Sequence, residues 1–154
     1  MYNTLITLSR NIFFYKEVKL KDLFEVRIYL MFVHFAILLI ISKKKGYKFS
    51  QDSYDGVFYH IENNLRELGF GDVSVNKKMK DLNKILYDIL LKIDNGEGND
   101  IKINHKLLFK YFVDFKNQKS QEFNNFESYL INFYKFCFEL SNENMIEDAI
   151  KFKN

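Results

Sequence analysis

Three histidines, one cysteine and an acidic loop are the residues of this chain best suited to chemistry. His34, His60 and His105 have no partner at metal-ligand spacing, and no HExxH, CxxC, Walker loop or nucleophile elbow occurs. Gly69-Phe70-Gly71 is too short for a dinucleotide fingerprint and lies between helical patterns, where that chemistry needs a strand leading into a helix. Asp94 to Asp100, DNGEGND, offers carboxylates but lacks the twelve-residue order and terminal Glu of a calcium loop. It reads as a turn-rich connection. Cys137 sits in an aromatic stretch with no base nearby in sequence, which fits a buried, inert thiol. No catalytic residue, metal or cofactor is therefore expected.

Two polar groups remain to be explained. Arg27 and His34 are seven apart, on one side of a helix whose centre is otherwise apolar, so each needs a partner or an outlet to water. They read either as an internal contact that fixes helix register or as polar marks on a groove that accepts a partner. Arg66 and Glu67, Asp72, and the lysines Lys77, Lys78 and Lys80 cluster around a short hinge. They are too polar for a core and are candidates for a binding surface, while Gly69, Gly71 and Ser74 are the candidate structural hinge. Gly69 should take a left-handed backbone, and Asp72 or Ser74 should cap the helix that follows.

The elements that would position these groups are all helical. Apolar residues recur every three or four positions, there is no proline, and the class is all-α, a bundle of about six or seven helices in one domain spanning residues 1–154. A first helix is predicted from Asn3 to about Lys16. A second runs from Lys21 or Asp22 to about Lys44 and contains the most apolar run, Ile28 to Ile41. That run is shorter than the roughly 20 residues of a membrane span and reads as the central core helix. A third, Tyr54 to Leu68, carries the stripe Val57, Phe58, Ile61, Leu65 and Leu68. Ser50, Asp52 and Ser53 are its candidate caps. A fourth, about Val75 to Ile93, shows Met79, Leu82, Leu86, Ile89 and Ile93 on one face, and Lys77, Asp81, Lys84, Asp88 and Lys92 on another that reads as solvated. The fifth spans about Asn104 to Asn117 and the sixth about Gln121 to Leu140. The sixth is apolar on more than one face and could offer binding surface. Ser141 or Asn142 would cap a short terminal helix.

Composition bounds the rest. At 47% hydrophobic residues, 154 residues can bury a core without disulfides, and a single cysteine suits a reducing compartment. The net charge of +3 is mild, and a genome rich in A and T would produce the same excess of Lys, Asn, Ile, Phe and Tyr, so nucleic acid is not an expected partner. No secretory signal is evident, and there is no room for an import presequence.

The hinge stretch Phe58 to Lys80 resembles the ubiquinol-cytochrome c chaperone family, assembly factors of respiratory complex III. The family pattern is an aromatic residue, an acidic one three or four later, Leu-Arg-Glu-Met-Gly-x-Gly-Asp-x-x-Val, and then a basic cluster. Its counterparts are Phe58, Glu62, Leu65, Arg66, Glu67, Leu68, Gly69, Gly71, Asp72, Val75, Lys77, Lys78 and Lys80. Leu68 replaces the usual Met, and Ile61 and Glu62 replace Met and Asp. An earlier block, Phe14-Tyr15, Asp22 to Ile28 and His34, is similar to the family's Phe-Tyr, Asp-x-Phe-x-Gly-Arg-Phe and His, with Val26 for Gly and Ile28 for Phe. The resemblance covers about residues 5 to 95. It implies a non-enzymatic, bacterial-type assembly factor in the cytoplasm, or peripheral at the inner membrane, whose client is cytochrome b or another membrane subunit and which could use a small helper protein. It also carries Arg66, Glu67, Asp72, Lys77 and Lys78 toward a partner-binding role. The alternative is a peripheral, lipid-binding helical protein. An enzyme with an unrecognised site and a weak RNA binder using Lys43 to Lys45 and Lys77 to Lys80 are the further rivals.

Overall fold

A computed structural model describes residues 1–115 and 119–154. In chain order its helices are α1 (Tyr2–Ser9), α2 (Phe13–Lys16), α3 (Phe24–Lys44), α4 (Gln51–Glu67), α5 (Asp72–Lys92), α6 (His105–Tyr111), α7 (Gln121–Glu139) and α8 (Met145–Asp148), followed by a 3₁₀ turn, Ala149–Lys151. The all-α bundle expected from periodicity is what forms. The single extended pairing among the described residues is an isolated bridge between Asp94 and Ile103.

The arrangement follows from α3. Its residues from Leu30 to Leu38 are all buried, as are Val26, Ile28 and Ile41, so it has almost no polar face. A helix that is apolar all round must be covered on every side. Helices α1, α5 and α7 supply that cover, and α4 closes over α5 and α1. By length and composition α3 could cross a membrane, but 67% of its most apolar window is buried inside the bundle. The reading of α3 as a core helix holds.

His34, midway along α3, is 0% exposed. Its Nδ1 lies 2.7 Å from the Leu30 carbonyl and its Nε2 3.0 Å from the Tyr129 hydroxyl. A carbonyl only accepts, so Nδ1 carries the proton and Nε2 accepts from Tyr129. The rings of Phe14, Tyr129 and Phe133 pack edge-on around the imidazole. His34 was a candidate partner-binding residue; it has no surface to offer, and it joins α3 to α7 instead. Burial pushes its pKa down to about 4.

The sixth predicted helix is likewise core. On α7, Phe123, Phe126, Tyr129, Leu130, Phe133, Tyr134 and Cys137 are all buried, because α7 packs against α3 on one side and the α8 region on another. Most of its aromatic residues fill the interior, and Phe136 and Phe138 are half-buried. Cys137 is 0% exposed, and burial raises its thiol to about 12, as expected of an inert cysteine.

Several boundaries moved. The first helix breaks after Ser9, and Asn11 Oδ1 accepts from the Phe13 N–H to start α2. α4 begins at Gln51, capped by Ser50 accepting from the Ser53 N–H at 3.2 Å. α6 stops at Tyr111, and the predicted end at Asn117 lies outside the described residues. The terminal helix is preceded by Asn144, not Ser141 or Asn142.

Asp88, expected on a solvated face, and Asp94, in the turn-rich loop, are both anchors. Asp88 binds Lys92 and Lys110 and accepts from the Tyr111 hydroxyl, joining α5 to α6; Lys110 foremost, then Lys92 and Tyr111, hold its pKa well below the usual range. Asp94 accepts from the Gly96 and Lys102 N–H groups and from Lys44 Nζ at 2.9 Å, stapling the DNGEGND loop to the end of α3. Lys44 and Lys45 are committed inward, Lys45 to the carbonyls of Phe138 and Leu140. This leaves Lys43 as the exposed member of that triplet.

His34 yields a pH prediction. Its folded pKa lies below the unfolded value of about 6.5, so its contribution to stability is complete above that value and is lost as pH falls toward about 4. Between pH 7.5 and 5 the wild type should lose about 1–2 kcal/mol that His34→Gln, though less stable at pH 7.5, does not lose. Denaturant melts at the two pH values check this.

Candidate functional site

The hinge is built by a specific backbone device. Gly69 has φ +95°, its N–H donates to the Arg66 carbonyl at 3.0 Å, and the Phe70 N–H donates to the Leu65 carbonyl at 3.3 Å. These two bonds form a Schellman ending, and Leu65 and Phe70 line one pocket beside it. Gly71, by contrast, has φ −74° and ψ 165°, a conformation open to any residue.

Neither Asp72 nor Ser74, the caps expected from the sequence, caps the next helix. Gly71 occupies the N-cap without a side-chain bond, Asp72 is already the first helical residue, and Ser74 sits exposed in the first turn. Asp72 is engaged elsewhere, since its carboxylate pairs with Arg66, whose guanidinium also reaches Glu62 at 3.0 Å. The pairing raises the Arg66 pKa, with Asp72 the larger influence and Glu62 the second. Arg66 and Asp72 thus clamp the turn from outside, and the buried Leu65 anchors the end of α4 beneath it.

The early termination of α4 has a consequence for Leu68. By spacing it belongs to the buried stripe, yet it is 60% exposed. The chain turns away one residue later, so nothing is laid over it. Next to it, α1, α3 and α4 enclose a groove of about 450 Å³ lined by Tyr2, Ile6 and Arg10, by Phe24, Arg27, Ile28 and Met31, and by Asn64, Glu67 and Leu68. Phe24 and Ile28 form a ridge shared with a smaller pocket of about 170 Å³ toward α5, where Leu65, Phe70, Lys78 and Leu82 meet. Ile12, 60% exposed, adds to the same corner beside Arg10 and Arg27.

The charges here are distributed unevenly. Arg27 donates to Asp22 through Nε at 2.6 Å and through a terminal nitrogen at 2.8 Å, pinning the segment before α3 to its first turns. The bond lowers the Asp22 pKa and raises that of Arg27. Lys78 Nζ lies 4.6 Å from the Phe70 ring centre, a cation–π contact. Of the sequence candidates, Arg27 and Glu67 line the groove, Lys78 lines the neighbouring pocket, Arg66 and Asp72 brace the turn, and Lys77 is exposed on α5. Sequence reasoning missed Arg10, Phe24 and Leu68 as groove walls. Only Leu68 left a signal, through its place immediately before a left-handed glycine.

Apolar ridge, exposed apolar rim and scattered charges make this corner a surface for holding a segment of chain. The model of the family described as ubiquinol-cytochrome C chaperone matches residues 16–130. The chain belongs to the ubiquinol-cytochrome c chaperone family. The match extends beyond the hinge blocks through α6 and into the first half of α7, so α5 and part of α7 lie within it, while α1 precedes the matched residues. Among curated proteins and among solved structures there is no match. Family membership makes the chain a chaperone for ubiquinol-cytochrome c reductase assembly, with a subunit of that complex as its client.

The hinge geometry separates its two glycines. Gly69→Ala should cost about 1 kcal/mol or more, because alanine is strained at positive φ. Gly71→Ser should be neutral or stabilising by up to about 1 kcal/mol, since serine there can cap α5. Thermal melts of the two variants measure the contrast.

Proposed function

We propose that the chain is a non-enzymatic assembly factor that binds the cytochrome b subunit during biogenesis of the cytochrome bc complex, and that it works in the cytoplasm or peripherally at the inner membrane. The observation that carries this reading is the uncovered apolar corner at the α4–α5 turn, in a chain whose family is named for chaperoning this enzyme. A membrane subunit awaiting its partners exposes apolar helix surface, and a chaperone must cover that surface reversibly. Leu68, Ile12 and Phe70 lie outside the packed core and can do so without unfolding the bundle. The ridge Phe24–Ile28 gives them a rigid floor, because it is part of the central helix.

The clamp residues Arg66 and Asp72 act on this surface by fixing the turn that presents Leu68 and Phe70, while Arg27, Glu67 and Lys78 supply its polar rim. Exposed lysines such as Lys77 and Lys80 suit an approach to an anionic membrane face. A small helper protein would need a surface of its own, such as the exposed Tyr87 and Leu91 of α5.

Affinity capture of the tagged chain from its own membranes tests the reading. Cytochrome b should co-purify with wild type and with Leu91→Asp, and should fall about tenfold or more with Leu68→Asp, the loss expected of a central apolar contact. Recovery of lipid alone, with binding to client-free liposomes, would instead favour a peripheral lipid-binding protein. Equal capture by Leu68→Asp would move the client site away from this corner.

A further inference from the structure

Three charged residues line the groove, and the two that are not paired, Arg10 and Glu67, come from different walls. Arg10 closes α1 and Glu67 ends α4; both are exposed, and among the described residues neither is in an ion pair within 4 Å. Between them lies Tyr2, whose hydroxyl accepts from Asn64 Nδ2. Tyr2, Arg10 and Glu67 all line this one groove, Tyr2 and Arg10 from the α1 wall and Glu67 from the α4 wall. Arg27, on the α3 wall, is already neutralised by Asp22.

A segment laid into the groove would take water from Arg10 and Glu67. Covering a charge without giving it a partner is costly, so an occupant with no counter-charges would be penalised at two places. We propose that the groove is built for an amphipathic client segment that sets an apolar stripe on Ile6, Phe24 and Leu68 and carries an acidic residue opposite Arg10 and a basic residue opposite Glu67. The inference rests on the chaperone reading and adds to it a rule of selection. Apolar contact holds the segment, and two charges of opposite sign decide which segment is held and in which direction.

The test uses three fluorescein-labelled amphipathic helical peptides with one leucine stripe, carrying at its two ends Glu and Lys, two Glu, or two Lys. Their affinities for the full chain are read by anisotropy. Wild type should bind the Glu/Lys peptide about threefold or more tighter than either of the others, the scale of one exposed ion pair. Arg10→Glu should shift the preference to the Lys/Lys peptide and Glu67→Arg to the Glu/Glu peptide. Arg10→Gln, a milder change should Arg10→Glu disturb the end of α1, should abolish the preference for Glu/Lys over Lys/Lys. An identical ranking in wild type and variants would overturn the proposal. Capture of cytochrome b on the same proteins separates the two levels. Normal wild-type capture with unchanged peptide ranking overturns the charge rule alone, whereas switched ranking without any capture supports the rule and contradicts the choice of client.

Discussion

Everything in this bundle depends on covering α3 while satisfying the one imidazole at its centre. An α-helix apolar on all sides cannot face water, and a buried histidine cannot go unbonded without a penalty of about 1–3 kcal/mol. The Tyr129 hydroxyl meets the second demand from α7, and the rings around it meet the first. The contact therefore sets how α7 lies on α3. It also explains why so many aromatic residues fall on α7, since wide rings fill the space between two helices joined through a histidine and a tyrosine.

The cover is complete along the middle of α3 and ends near its start. At that end, α4 is cut short by the left-handed Gly69, and α1 is cut short at Ser9. Phe24 and Ile28 are left between two grooves, with Leu68 and Ile12 standing beside them. Binding surface and stable core thus meet at the start of one helix. The buried Ile28 and half-buried Phe24 make the floor stiff, and Leu68, Ile12 and Phe70 beside them leave apolar area for a client.

Much of this was legible in the sequence because periodicity records burial. The order of the four longest helices, the central place of Ile28 to Ile41, the left-handed Gly69 and the buried Cys137 all follow from local patterns. What could not be read were choices made between distant residues. Spacing put Leu68 in the buried stripe, but its exposure depends on where the chain goes after Gly69. Charge alternation made Asp88 look solvated, yet Lys110 and Tyr111, some twenty residues away, draw it into a junction. The pairing of His34 with Tyr129 spans 95 residues, so the sequence showed that a partner was needed without showing which residue it was. Arg10 gave no hint, because the groove exists only where α3 and α4 come to lie beside α1.

The central claim is that the corner beside the α4–α5 turn, and not another exposed apolar patch, touches the client. Site-specific photo-crosslinking in cells tests it most directly, with a photoreactive residue at Leu68 and, as a similarly exposed comparison, at Tyr87 on α5. Crosslinks from Leu68 to cytochrome b, with none from Tyr87, are the predicted result. Crosslinks from Tyr87 and none from Leu68 would contradict the account and transfer the binding surface to the outer face of α5.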